Sequence, residues 1–291
     1  LHLGRGCPYG CTFCHNRRKR DLYAGKGRFV RWRSMDSVLR EVEEMARSSF
    51  VSVLHFADDG FGINREWLSE LLPGLSGLLG EQRPALFANM RADMVTDDLC
   101  ETFRGYGSHL MRIRIAVECG DEQYRREVLK KVISNEELSR AAGLFREYGI
   151  DFATYNMVGL PGETLDQALE TLRLNLELRP SRAICFIYQP YPGTDLANYA
   201  LESDVVDPET VTEFAEDGLR GFFESYSLLR QKNIKQLENV QRVFELVARY
   251  PVFFPLAKRL VRFESLSLLL RLLYRLYMRL VIHHRRATDA Y

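Results

Sequence analysis

The chain has 291 residues, of which 46% are hydrophobic and 27% are charged, and its formal net charge is +1. These proportions are typical of a folded globular protein and exclude an intrinsically disordered one. The small net charge gives no general electrostatic reason for a nucleic-acid partner, and we expect none. Three of the six cysteines lie within one short segment, which favours a metal site in a reducing, cytoplasmic compartment over a disulfide framework.

The clustered cysteines lie in residues 6–14, which read GCPYGCTFC. Two glycines and a proline disfavour a regular helix or strand and favour a tight loop that carries Cys7, Cys11 and Cys14. Three thiolates suit zinc or an iron–sulfur cluster. A structural zinc site normally takes a fourth protein ligand, and the other cysteines stand alone. The spacing therefore predicts a [4Fe–4S] cluster with one open iron; a zinc knuckle on a catalytically silent barrel remains the non-enzyme alternative.

Strands and helices alternate along the first 200 residues. The end of a first strand is expected at 1–4, and apolar strands at 51–57, 85–89, 111–117, 151–158 and 183–188. Amphipathic helices are expected at 35–47, 65–79, 97–106, 136–148 and 165–178. Apolar strands alternating with helices are typical of a parallel sheet buried on both faces. We predict an α/β fold: a partial (β/α)6 TIM-like barrel over 1–200 with a helical C-terminal extension over 201–291.

The pattern Cys-x-x-x-Cys-x-aromatic-Cys, with Phe13 as the aromatic residue, resembles that of the radical S-adenosylmethionine (SAM) superfamily. The resemblance implies that the three cysteines hold a [4Fe–4S] cluster and that SAM chelates the fourth iron. An electron from the cluster would cleave SAM to a 5′-deoxyadenosyl radical that abstracts hydrogen from the substrate. A reductant such as flavodoxin or ferredoxin would supply that electron.

Further motifs of the same superfamily follow the predicted strands in order. Asp58 and Asp59 would lie near the amino group of SAM, although an Asp-Gly turn also explains Asp59. Arg91 would reach a carboxylate of SAM or substrate, unless it forms a surface ion pair. Glu118 would lie near the ribose or methionine part of SAM. The adenine would be lined by Gly159, Pro161 and Gly162, and residues 189–194 would face the substrate.

The segment 56–61, which reads FADDGF, resembles the branch of the superfamily that carries an N-terminal cobalamin-binding domain. The chain enters the cysteine loop almost at once, so we interpret it as a catalytic core without that domain. This resemblance implies methylation or ring rearrangement of a lipid-like or natural-product small molecule. A methylthiotransferase or a porphyrinogen oxidase of the same superfamily is the alternative.

The C-terminal region is rich in leucine and arginine, and helices are expected at 210–227, 232–250 and 256–284. Arg271, Arg275 and Arg279 interrupt the apolar run, which excludes a membrane-spanning helix. Residues 251–291 contain eight Lys or Arg and two Asp or Glu. Such a basic amphipathic helix either contacts the anionic inner face of a membrane through 256–286 or packs its leucines against the barrel. The basic run 15–20 is expected to be a solvated loop or to lie near an anion.

Overall fold

The structure is a computed structural model that describes residues 1–217 and 226–288, with side chains as far as residue 279. Two short strands, β1 (Gly4–Arg5) and β2 (Arg31–Trp32), pair in antiparallel fashion. The main sheet has five strands in sequence order: β3 (Val53–Phe56), β4 (Ala85–Met90), β5 (Met111–Glu118), β6 (Asp151–Val158) and β7 (Arg182–Ile187). The β3–β4 and β4–β5 pairs are parallel. The predicted α/β class, with a parallel sheet resembling a partial barrel, is confirmed.

Helices connect these strands and form the C-terminal region. They are α1 (His15–Leu22), α2 (Met35–Ser48), α3 (Arg65–Leu79), α4 (Asp97–Tyr106), α5 (Glu122–Glu127), α6 (Asn135–Glu147), α7 (Leu165–Leu178), α8 (Asp195–Glu202), α9 (Pro208–Asp217), α10 (Ile234–Arg249), α11 (Phe254–Leu260) and α12 (Ser267–Thr288). N-terminal capping side chains explain where several of these helices begin. Ser134 and Glu137 form a reciprocal capping box at α6, and the hydroxyl of Ser34 accepts from the backbone N–H of Ser37 at α2. Part of the predicted helix 210–227 lies outside the described residues.

The first predicted strand is reduced to a single contact. The ammonium of Leu1 donates to the His55 carbonyl (2.8 Å), and the N–H of Ala57 donates to the Leu1 carbonyl (2.9 Å). This is the pattern of a parallel pair. The chain then leaves β3, because Asp58 draws the next backbone N–H groups to itself, and pairs with β2 instead. Five of the six predicted strands are therefore full members of the sheet.

Backbone contacts divide the chain into two compact units. The first comprises 1–117, 122–155 and 177–181, and the second comprises 118–121, 156–176 and 182–291. The predicted boundary near residue 200 stays a prediction. In the first unit, the rings of Phe56 and Phe61 stack at 5.3 Å, and Phe61 and Phe103 stack at 6.4 Å.

In the second unit, the C-terminal helices share one hydrophobic core with the sheet. Leu237, Phe244 and Val247 of α10 are buried together with Leu172 of α7 and Ile187 of β7. The ion pair between Arg182 and Glu245 (2.6 Å) also joins β7 to α10. Helix α10 is thus an integral layer of its unit.

The last predicted helix is two helices, α11 and α12. Leu270 is 5% exposed, and the Tyr274 hydroxyl accepts from the Gln241 amide at 3.3 Å. Inward packing thus holds for Leu270, whereas five other leucines of the helix are 50–69% exposed: Leu268, Leu269, Leu272, Leu273 and Leu276. None of the helices among the described residues is long and apolar enough to cross a bilayer.

Candidate functional site

The cysteine loop connects β1 to α1 and is tied down at its centre. Cys7, Cys11 and Cys14 are free thiols with intermediate exposure. The N–H of Cys14 donates to the Cys11 carbonyl at 3.2 Å, which closes a tight turn. Buried Thr12 donates its N–H to Leu129 (3.0 Å) and its hydroxyl to the carbonyl of Val128 (2.8 Å). These bonds fix the middle of the loop while the thiols stay accessible.

The three thiols supply the ligands that an iron–sulfur cluster takes from a protein. Among the described residues, no group of three His, Cys, Asp or Glu side chains is arranged around one metal ion. A [4Fe–4S] cluster takes its cysteines on separate irons. Burial raises the pKa of Cys7, and the nearby Cys14 and Asp59 raise it further, while a backbone hydrogen bond and Arg91 lower it. Three free thiols on one short loop are the donor set of a [4Fe–4S] cluster with one open iron, so the residues present fit that group.

Asp58 and Asp59 hold the start of the cysteine loop through its backbone. The Asp58 carboxylate accepts from the N–H groups of Leu3 (3.0 Å) and Gly4 (2.6 Å). Asp59 accepts from the N–H of Gly6 (3.0 Å) and from the side-chain amide of Asn16 (2.9 Å). Burial raises the pKa of Asp58, although these two backbone hydrogen bonds oppose the shift. Both carboxylates thus contact the protein's own N–H groups on either side of the loop.

Arg91 lies over the same loop. Its guanidinium carbon is 3.6 Å from the centre of the Tyr9 ring, and its nitrogens donate to both oxygens of Asp93 at 3.0 and 2.7 Å. The fork that would bind a carboxylate is occupied by Asp93. The ion-pair alternative for Arg91 is therefore observed, with Tyr9 as a contact that the sequence did not reveal.

A cationic cavity adjoins the loop. It measures about 890 Å³, and Gly6, Asn16 and Asp59 are part of its wall. Its cationic lining residues are exposed, and none forms an ion pair within the described part of the chain: Arg5, Lys19, Lys26, Arg28 and Arg31. The basic run predicted as a loop is helix α1. Residues 1–33 carry nine Lys or Arg and one Asp, so this surface is strongly positive.

In the second unit, the end of β5 is held against α7. Glu118 is 8% exposed and has a φ of 67°, a left-handed conformation that costs a non-glycine residue about 1 kcal/mol or more. The N–H of Gly120 donates to the Thr171 hydroxyl at 2.8 Å. A Cβ on Gly120 would lie 2.5 Å from the Thr171 Cα, so only glycine is tolerated. This contact fixes the backbone directly after Glu118.

The turn at 159–163 is held by side chains on both sides. Gly159 and Gly162 have φ values of 77° and 75°, which glycine adopts without strain. One oxygen of the Glu163 carboxyl group accepts from the N–H groups of Gly159 (2.6 Å) and Leu160 (3.1 Å). From outside the motif, Gln231 accepts from the Gly162 N–H at 2.9 Å and donates to the Leu160 carbonyl at 3.1 Å.

The predicted site residues fall into both units. The first unit contains Phe13, Asp58, Asp59, Arg91 and the three cysteines, and the second contains Glu118, Gly159, Pro161 and Gly162. Sequence reasoning missed the loop-holding roles of Asn16 and Gln231. No sequence signal indicates them, because each amide contacts a partner that is distant in the sequence, Asp59 for Asn16 and the turn at 159–163 for Gln231. The role of Glu163 could have been anticipated, since it lies four residues after Gly159.

Comparison with known proteins gives consistent results. The sequence model of the Radical SAM superfamily matches residues 1–174. A ribosomal protein uS12 methylthiotransferase of Pseudothermotoga lettingae is 28% identical over 201 residues, 67% of this chain and 45% of the relative. Several further relatives match at comparable identity, and this chain spans about half the length of those curated relatives.

Two solved structures share the fold. The cobalamin- and [4Fe–4S]-bound radical SAM methyltransferase TsrM of Kitasatospora setae superposes with a TM-score of 0.59 and 18% identity, covering 69% of this chain and 39% of TsrM. Coproporphyrinogen III oxidase of Escherichia coli gives 0.52 and 19%, covering 75% and 50%. Both likenesses establish the fold of the barrel region.

A pH-dependent stability is expected from Glu163. Its burial raises its pKa to about 8, against the two backbone hydrogen bonds that lower it. In the unfolded chain the Glu163 carboxyl group has an ordinary pKa of 4.5 and loses its proton at lower pH than in the folded protein. Between these two pKa values the folded state binds one proton more than the unfolded state. The free energy of unfolding therefore falls as the pH rises toward 8. Glu163→Gln should remove this dependence, flattening the slope of unfolding free energy by up to about 1.4 kcal/mol per pH unit. Urea unfolding between about pH 5 and pH 9 measures it.

The exposed Glu209 provides the control. Glu209→Gln should keep the wild-type slope. Identical slopes in the wild type and Glu163→Gln would contradict the protonated state of Glu163.

Proposed function

Since this chain belongs to the Radical SAM superfamily, we propose that Cys7, Cys11 and Cys14 hold a [4Fe–4S] cluster whose fourth iron binds SAM. When bound, the cluster supplies the electron that cleaves SAM to methionine and a 5′-deoxyadenosyl radical, which takes a hydrogen atom from the substrate. The observation that carries this proposal is the loop itself: three free thiols of intermediate exposure on a backbone fixed by Asp58, Asp59 and Thr12.

The chain's own residues divide this work. Asp58 and Asp59 position the loop, and their negative charge beside it favours the amine of SAM electrostatically. Arg91 packs over Tyr9 and rigidifies the loop from the other side. For the remaining contacts we propose Phe13 and Glu118 next to the methionine and ribose parts of SAM. The turn of Gly159, Pro161 and Gly162 would line the adenine, since glycine lets backbone approach a flat ring closely.

For the reaction we propose methyl transfer to carbon or ring rearrangement on a small, lipid-like or natural-product substrate, with cobalamin supplied by another domain. The shared fold with TsrM supports this reading, and the FADDGF segment adds to it. The methylthiotransferase relatives support a second candidate, methylthiolation. S-adenosylhomocysteine formed beside 5′-deoxyadenosine would indicate that SAM also donates a methyl group.

The cationic surface beside the loop supports a docking site for an acidic one-electron carrier of the flavodoxin or ferredoxin type. Five uncompensated cations line the cavity next to Gly6, one residue before a cluster ligand. Complementary charge of this kind steers association and orients the partner. An electron delivered there would enter close to the cysteines.

The exposed face of α12 supports peripheral contact with an anionic membrane surface. Its five exposed leucines are accompanied by exposed Arg275 and Arg279. Apolar groups that enter the lipid boundary and cations that contact anionic headgroups together produce interfacial binding. A location at the inner face of a cytoplasmic membrane follows as part of this proposal.

Cys11→Ala should abolish cluster binding and SAM cleavage. Anaerobically reconstituted wild type should contain about four irons per chain and form 5′-deoxyadenosine with dithionite and SAM. Cys100→Ala, which changes a buried cysteine of α4, should keep both properties. Tight zinc binding without iron uptake by the wild type would refute the proposed function.

Lys19→Glu with Lys26→Glu should weaken binding of a reduced flavodoxin by about tenfold or more at low salt, because two favourable charges become unfavourable. The matched control is Arg40→Glu with Arg126→Glu, which reverses two exposed cations that do not line the cavity. Affinity is measured by biolayer interferometry at two salt concentrations. Equal affinities for both double variants would exclude this docking surface.

Leu269→Gln with Leu273→Gln and Leu276→Gln should lower the fraction that floats with vesicles containing about 30% phosphatidylglycerol. We expect the affinity for these vesicles to fall by about tenfold or more. A tenfold fall in affinity corresponds to a loss of only ~1.4 kcal/mol of transfer free energy, which three leucines can supply. Phe50→Gln is the control, since Phe50 is 87% exposed but lies elsewhere. Wild-type protein that stays with the soluble fraction would rule out membrane contact.

A further inference from the structure

The two faces of the main sheet differ in burial. Along β4 and β5, alternate residues such as Leu86, Ala88, Ile113 and Ile115 are almost fully buried, while the residues between them are partly exposed. Successive side chains of a strand point to opposite faces. The partly exposed residues therefore share one face, and that face carries polar and aromatic groups.

Four residues form a layer on this face: His55, Phe87, Arg114 and Tyr155. Four residues after each of them along the chain comes a residue that we assign to SAM binding or to support of the cysteine loop. In the same order, these are Asp59, Arg91, Glu118 and Gly159. Four residues along a strand keep the same face and span about 13 Å. The layer thus lies about two pleats before the carboxyl ends of the strands.

The four side chains form one continuous series of contacts, in which Arg114 links Phe87 to Tyr155. Its guanidinium carbon lies 3.8 Å from the centre of the Phe87 ring and 5.3 Å from that of Tyr155. The guanidinium also donates to the Tyr155 hydroxyl. The His55 ring meets Phe87 edge-on at 4.7 Å. Stacking against aromatic rings fixes the orientation of the guanidinium.

Arg114 has no carboxylate partner among the residues that the structure describes, whereas Arg112 on the same strand lies 3.6 Å from the Asp151 carboxylate. A partly buried guanidinium that is oriented but not neutralised has N–H groups left for an anion. Arginine binds carboxylates and phosphates through two parallel hydrogen bonds, which makes it selective for these groups.

The positions that follow this layer on the same face lead to the ends of the strands. They carry Ala57, Asn89, Ala116 and Met157, and Asn89 lies directly opposite Arg114 in the pairing of β4 with β5. Two of these side chains are single methyl groups, and the Asn89 carbonyl oxygen has no hydrogen-bond partner. A molecule that lies here can reach Arg114 at one end and the strand ends at the other.

We propose that Arg114, stacked on Phe87 and hydrogen-bonded to Tyr155, binds a carboxylate or phosphate group of the substrate. The substrate is thereby an anion, and the rest of it lies beside Asn89. That this anion belongs to the substrate rests on the proposed function; the anion site itself does not.

The test is titration of the full chain with three aromatic probes: benzoate, phenyl phosphate and neutral benzyl alcohol. Wild-type protein should bind at least one anion at least about tenfold more tightly than benzyl alcohol, as expected for a charge-assisted bidentate contact. The tighter anion identifies the group as carboxylate or phosphate. Binding is followed by protein-detected NMR, which also reports whether the fold is intact.

Arg114→Met should weaken binding of that anion by about tenfold or more, and Arg114→Lys should fall between it and the wild type. Arg112→Met, on the same strand and face, should leave the affinity within about twofold. Equal affinities of wild type and Arg114→Met, or no preference for anions, would overturn the proposal.

The same preparations separate this proposal from the proposed function. Arg114→Met should take up as much iron as the wild type, because Arg114 belongs to β5, whereas the cysteines lie on the connection between β1 and α1. A wild type that takes up no iron refutes the cluster, yet the anion titration can still be interpreted because it requires neither iron nor SAM.

Discussion

The cysteine loop depends on two adjacent carboxylates at the end of β3. A loop rich in glycine and proline cannot satisfy its own backbone N–H groups by regular structure. Asp58 and Asp59 accept from Leu3, Gly4 and Gly6. Hydrogen bonds to charged groups contribute about 1.5–3 kcal/mol each. Two consecutive side chains thus fix the entry of the loop and connect it to the sheet.

In the second unit, the backbone N–H groups of the turn at 159–163 are also bound by side chains. Glu163 accepts from Gly159 and Leu160, and Gln231 binds the far side of the turn. The segment before α10 therefore contributes to a turn seventy residues earlier in the chain. The C-terminal helices also complete the core that contains β7. Helix α10 and the segment before it support the turn to which we assign the adenine.

The sequence allowed the main elements to be predicted where local chemistry decides them. The capping box of Ser134 and Glu137 and the apolar runs of β4 to β7 are such cases. It did not allow prediction of the departure of residues 3–5 from the sheet, because that depends on Asp58, more than fifty residues away. The sequence also left open which face of α12 packs, since the contact of Tyr274 with Gln241 of α10 is not visible in the periodicity. The roles in SAM binding stay predictions.

Gly120, just after β5, packs its backbone directly against Thr171 of α7. With only 2.5 Å between the position of a Cβ and the Thr171 Cα, the two backbones meet without an intervening side chain. Side chains can rotate to absorb a displacement, but backbone in direct contact cannot. A small displacement of α7 would therefore displace the backbone after Glu118 by a similar distance. The position of the Glu118 backbone is therefore determined by the position of α7.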